Sequence, residues 1–205
     1  MSTKSQNVSW MGVSLGVVQG LLKEVQKLGG GDEDIRKLVM PEGESLLAKF
    51  AQMLVGVARQ IYNVMVDRTK TLSEMIKAGK YGWVNADITQ EHFPVAGSCK
   101  KEEGFVLFHF NRNISSEKAI TEIVQAGCEP GDIADLLAFG ADQPELQRQF
   151  PIVALNLKSV WRGSGGDRHV PGLCGGSADR GLGLRCFEGD WDERYRFLAR
   201  RKYQK

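Results

Sequence analysis

The chain has 205 residues, 42% of them hydrophobic and 25% charged. That is ordinary globular composition, with enough apolar surface for a packed core and too little polarity for wholesale disorder. No run of 18 apolar residues occurs, which excludes an ordinary transmembrane helix.

The formal net charge of +2 gains meaning when divided. Residues 156–205 hold 11 Lys and Arg against 6 Asp and Glu, and residues 1–155 hold 16 against 19. The C-terminal quarter is mildly basic, mostly through arginine, with the two signs interspersed. Such a pattern reads first as a solvated surface and second as an anion-facing one. The four cysteines, Cys99, Cys128, Cys174 and Cys186, form no C-x-x-C pair. Cys174, Cys186 and His169 could be imagined around a metal, but no zinc spacing supports it, so neither metal nor cofactor is expected.

In chain order, Trp10 to Leu22 is apolar but broken by Gln19, with little basic charge before it and no small-x-small cleavage site. It reads as a helix rather than a signal peptide, which leaves the cytoplasm as the default location. Val13, Val17, Leu21, Val25 and Leu28 continue the helical spacing until Gly29-Gly30-Gly31. A second seam, Leu47, Phe50, Leu54, Val57, Ile61 and Val64, predicts one long amphipathic helix to about Ala78. Two such helices form a hairpin, or a surface for homo-oligomerisation or docking. Residues 79–104 are irregular, and the expected division is a helical region 1–90 and a second domain 91–205.

Phe105 to Phe110 reads as an aromatic, β-branched strand. Ser115 or Ser116 caps a helix that ends at Gly127. Pro130 precedes a helix from Ile133 to Phe139, with a short helical turn near Pro144 to Gln149. Ile152 to Leu155 and Tyr195 to Ala199 read as strands.

The stretch from Arg162 to Arg196 holds 9 glycines in 35 residues, so a loop-dominated segment is expected. Single apolar residues punctuate it and look like anchors for irregular backbone. Lys, Glu, Gln, Met and Trp make up 49 of the 205 residues, yet none occurs between Arg162 and Cys186. For independent positions that absence has a chance of about one in a thousand. No codon ending in C encodes any of the five, so randomising the first two bases of AAC codons would leave this gap. A glycine-rich loop poor in helix formers would leave much of it too.

The frame Pro151-Ile152-Val153-Ala154-Leu155, Ser159-Val160-Trp161, Arg168, Val170-Pro171, Leu173, Arg180, Leu182, Leu184, Phe187, Trp191 and Tyr195 to Lys202 resembles the C-terminal region of variable proteins of diversity-generating retroelements. It departs from that pattern at Asn156-Leu157-Lys158, where one glycine is usual, and at Arg200, where valine is usual. The resemblance runs over about residues 105–202 in order of elements and over 151–202 in residue detail. It implies an α+β chain whose C-terminal domain has a C-type-lectin-like fold. It also implies adenine-directed mutagenesis of a ligand surface, here about residues 160–196, and a protein or other surface ligand as partner.

Randomisation is tolerated where side chains leave a fixed backbone outward, since surface changes stay within about ±0.5 kcal/mol and core truncations cost about 2–5 kcal/mol. Trp161, Val170, Leu173, Leu182, Leu184, Phe187, Trp191 and Phe197 are therefore the expected buried scaffold. The expected ligand-facing set is Arg162, Ser164, His169, Gly172, Cys174, Ser177, Asp179, Gly181, Gly183, Arg185, Cys186, Asp190, Arg194 and Tyr195. Catalysis is not expected, because the spacing of Ser159, Asp167 and His169 supports no triad and the glycine runs open no strand-to-helix phosphate loop. The alternative to ligand display is a small basic nucleic-acid-binding protein. It would use Arg180, Arg185, Arg194, Arg196, Arg200 and Arg201 with Phe187, Trp191 and Tyr195 as stacking groups. On the primary reading, nucleic acid is not the partner.

Overall fold

A computed structural model describes residues 10–38, 40–49, 60–176 and 179–202. The chain forms two compact units, residues 1–57 and 58–205.

In the first unit, α1 spans Trp10–Lys27 and α2 spans Asp32–Leu38. α1 stops where the sequence places its glycines. Gly29 adopts φ +85°, the Gly29 N–H donates to the Gln26 carbonyl, and the Gly30 N–H donates to the Val25 carbonyl. Those two bonds satisfy carbonyls that the helix end would leave open. A 3₁₀ turn at Pro41–Gly43 follows, then helical backbone at 44–49.

The long helix expected from Leu47 to Ala78 is not formed. Residues 50–59 lie outside the described residues, and Tyr62–Asp67 is a strand, β1, that buries Val64 and Val66. A 3–4 seam and a period-two alternation coincide over so short a run, and the β-branched residues there favour the strand. At Asp67 an Asx turn ends it, with the Thr69 N–H and hydroxyl both donating to Asp67 Oδ1. Helix α3, Leu72–Gly79, starts afresh from a Thr71/Glu74 capping box.

Residues 58–90 thus belong to the second unit, and the boundary expected near residue 90 falls at 57/58 instead. The cause is strand pairing. β3, Lys100–Phe108, starts five residues before the expected Phe105 because its polar half pairs antiparallel with β1, from Tyr62 opposite Phe105 to Asp67 opposite Lys100.

The other strands are β2 (Trp83–Val84), β4 (Ile114–Ser115), β5 (Cys128–Pro130), β6 (Ile152–Val153), β7 (Trp161–Arg162), β8 (Arg168–Gly175), β9 (Arg180–Cys186), β10 (Asp190–Trp191) and β11 (Arg196–Arg201). Helices α4 (Ser116–Gln125), α5 (Ile133–Asp142) and α6 (Leu146–Gln149) complete the unit. The sheet order is β1-β3-β11-β6-β8-β9-β2, with β5 also on β11 and β7 also on β8, while β10 pairs β4. The β11–β6 and β9–β2 pairs are parallel and the rest antiparallel.

The expected loop from Arg162 to Cys186 is mostly a hairpin. β8 and β9 pair from His169 opposite Cys186 to Gly175 opposite Arg180. Glycine is a poor strand former in isolation, but here Gly172 faces Gly183 across the pair, and flanking Leu173 and Leu182 are buried together.

The sheet has a core on each face, as the period of two requires. Phe105, Ile152, Leu173, Leu182 and Leu198 join Val64, Met75, Leu136 and Phe139 on one face. Val106, Phe108, Val153, Val170, Phe187 and Phe197 join Ile114, Ala119, Ile123 and Trp191 on the other.

One ion-pair network ties the end of β1 to β5, β11 and the start of α5. Arg68 donates to both oxygens of Asp132 at 2.9 and 3.2 Å and to Asp135 at 2.7 Å. Arg200 reaches Asp135 at 3.7 Å and Glu129 at 3.0 Å. Burial, joined by the charge of Asp132, pushes the Asp135 carboxyl up to about 6.

Candidate functional site

The anchors named from the sequence hold the hairpin on the sheet. Val170, Leu173, Leu182, Phe187, Trp191 and Phe197 are buried, and Trp161 and Leu184 are half-buried against the core. Polar links reinforce them. The buried Ser116 hydroxyl donates to the Phe187 carbonyl at 2.6 Å and accepts from Trp191 Nε1 at 2.8 Å. Arg168 Nε donates to Glu188 at 2.6 Å, and its guanidinium lies 4.2 Å from the centre of the Phe187 ring. That bond holds the Glu188 carboxyl below its usual range. Gln147 of α6 is buried, and its Nε2 donates to the carbonyls of Cys174 and Gly181, pinning β8 to β9.

Arg180 is also scaffold. Its Nη2 donates to the carbonyls of Gly79 and Gly140, ending α3 and crossing α5. Its guanidinium lies against Tyr81, whose hydroxyl burial pushes up to about 12.

The fourteen expected ligand-facing residues divide. Arg162 and Ser164 are exposed at the β7–β8 turn, where Arg162 donates to the Gly166 carbonyl. His169 and Cys186 face each other on the side of the hairpin that carries Leu173 and Leu182. There the His169 ring packs against Trp161, 5.7 Å between centres, and Trp161 stacks on His92 at 4.6 Å. The opposite side carries Gly172, Cys174, Gly181, Gly183 and Arg185. Asp179 is exposed just before β9, Asp190 is exposed on β10 beside Ser115, and Ser177 lies outside the described residues.

Gly172 is a correction. It is buried, and a Cβ there would stand 3.2 Å from Val153 Cγ1 and 3.4 Å from the Ile152 carbonyl. It faces the core because the neighbouring strand β6 covers it. Gly183 is also buried, but under the Trp83 indole and the Arg185 side chain.

Four of the fourteen meet at a cavity of about 260 Å³. Cys174 and Arg185 line it from the hairpin, and Arg194 and Tyr195 from the turn before β11. Arg148, Phe150 and Pro151 complete the wall from the end of α6. Arg196 shapes the turn, since its Nη1 donates to the carbonyls of Glu193, Arg194 and Tyr195 while its guanidinium stacks 4.6 Å from the Phe150 ring. Burial pulls its pKa below the usual arginine value. Arg194 chelates Asp192, which lowers that carboxyl, and the Tyr195 ring meets Trp191 edge-on at 4.8 Å.

Arg148, Phe150 and Trp83 lie outside the segment from which site residues were expected. The alternation Gly181-x-Gly183 was the signal for Trp83, because two same-face glycines in a strand mark a close neighbour. Nothing in the sequence names the neighbour.

Other candidate groupings are not assembled. The Ser159 hydroxyl is buried and accepts the Ile133 N–H, while His169 Nδ1 contacts the Asp167 carbonyl. Cys174 is on the opposite side of the hairpin from His169 and Cys186, and no group of three His, Cys, Asp or Glu suited to a metal occurs among the described residues. Comparison of the chain with protein-family models, with curated proteins and with solved structures finds no match.

Proposed function

We propose that the second unit, residues 58–205, is a C-type-lectin-like ligand-binding domain whose surface, over about residues 160–196, is diversified by a retroelement, and that the protein is a binder and not an enzyme. The observation that carries this reading is the division of labour in one segment. Six of eight anchors are buried and the other two half-buried, while eleven of the fourteen intervening positions keep at least part of their surface open. Such a framework lets side chains change without moving the backbone, as a diversified site demands. The order of elements supports it: a strand, β3, then helices α4, α5 and α6 interleaved with the short strands β4 and β5, then further strands and a last strand, β11, that returns to pair with β3. The exposed Leu15, Val17 and Val18 of α1 suit assembly or docking by the helical region.

The test is the DNA around the gene. A near-copy of the codons for residues 160–196, mismatched at adenines and accompanied by a reverse-transcriptase gene, is the expected finding. A locus with neither refutes diversification.

A further inference from the structure

Resting on that binding surface, we propose that the site extends beyond the diversified segment to Trp83, and that it receives a carboxylate carried by an acidic protein segment. Trp83 is 54% exposed, yet its position is held by backbone. β2 runs parallel to β9 with Trp83 opposite Gly181, the Gly82 N–H donates to the Arg180 carbonyl, and the Asn85 N–H donates to the Leu182 carbonyl. The indole then lies over two glycines. A Cβ at residue 181 would stand 3.4 Å from Trp83 Cε3, and one at residue 183 would stand 3.2 Å from Cζ3. Any larger residue at 183 must displace the ring, so a position expected to vary sets the pose of a residue that does not.

Arg185 runs beside this ring. Its Cγ is 3.5 Å from the Cβ position of Gly172, and its Nη1 is 3.6 Å from that of Gly183. The same guanidinium edges the cavity. Its hydrogen bond goes to a main-chain carbonyl, that of Leu184, and among the described residues no carboxylate pairs with it. Among the described residues, the cavity wall contains three arginines and no Asp or Glu. Arg148 reaches Glu145 and Arg194 holds Asp192 from outside the wall, which leaves Arg185 as the focus of uncompensated charge. A guanidinium fork fits a carboxylate, and tryptophan and arginine are both enriched among the residues that dominate binding at protein interfaces.

Nucleic acid fits less well. Arg180 turns inward to two carbonyls, Arg200 is tied to Glu129 and Asp135, and Phe187 and Trp191 are buried, so among the described residues these groups do not form a row of stacking aromatics along a basic groove.

The probe is blocked hexaglutamate, titrated into the full chain by calorimetry, with oligothymidylate of equal charge in parallel. Saturable glutamate binding is expected, weakened about tenfold by Arg185→Gln and by Trp83→Ala. Gly183→Val keeps both side chains but moves the ring, and should weaken binding while the far-UV circular dichroism spectrum stays that of the folded chain. Arg201→Gln, on an exposed residue of β11, should leave binding as it was. Absence of saturable glutamate binding, equal loss in Arg201→Gln, or tighter binding of the oligonucleotide would each overturn the proposal. The locus test is independent: failure of glutamate binding leaves diversification standing, and a locus without a template leaves the carboxylate site standing.

Discussion

Replacing Ser116 by alanine tests whether the hairpin is held by specific polar bonds or by apolar contact alone. The hydroxyl is fully buried, donates to the Phe187 carbonyl at 2.6 Å and accepts from Trp191 Nε1 at 2.8 Å. Alanine keeps the shape but strands one buried acceptor and one buried donor, each worth about 1–3 kcal/mol. The expected loss is about 2–6 kcal/mol, or a fall in melting temperature of roughly 4–24 °C for a domain of this size. Urea unfolding followed by far-UV circular dichroism measures it. In Ser116→Ala the indole N–H is already orphaned, so Trp191→Phe should cost less there than in the natural chain, with a coupling of about 0.5–3 kcal/mol. A Ser116→Ala effect within about 0.5 kcal/mol, or an additive cycle, would refute the reasoning. Phe187 and Trp191 would then be placed by packing alone.

Asp135 makes stability depend on pH with a defined sign. Its carboxyl is raised to about 6 from 3.8, so its contribution is present below the unfolded value and is lost as pH rises through about 6. In urea titrations, Asp135→Asn should remove that decline between pH 4 and 6, and an unchanged slope would count against it. Asp135→Leu, which leaves Arg68 to Asp132 and Arg200 to Glu129, should cost about 1–3 kcal/mol through the lost hydrogen bonds, and a neutral result would show that Asp135 is dispensable to the network. Within the hairpin, buried Gly172→Val should cost about 1–3 kcal/mol by pressing on Val153, whereas exposed Cys186→Ser should stay within about 0.5 kcal/mol. Equal effects in thermal melts would remove the distinction drawn between these two positions.

Much of this protein is legible in local chemistry. Gly29 as the stop of α1 and Ser115 as the cap of α4 rest on bonds between near neighbours. The spacing of Val170, Leu173, Leu182, Phe187 and Trp191 likewise marks what must be buried, because each is a lone large apolar residue among small and polar ones. Tertiary structure alone decided the rest. Tyr62 to Asp67 became a strand because a partner, Lys100 to Phe105, was available some forty positions along the chain. The glycines between Arg162 and Cys186 became a hairpin because leucines on the other side of the same strands found a core. Trp83 came to lie on Gly181 and Gly183 through a parallel pairing across nearly a hundred residues. Helix caps and apolar periods are short-range and additive, so they are written along the chain. Strand partners and the cavity between Arg148, Arg185 and Tyr195 depend on long-range pairing, which is fixed only when the whole domain closes.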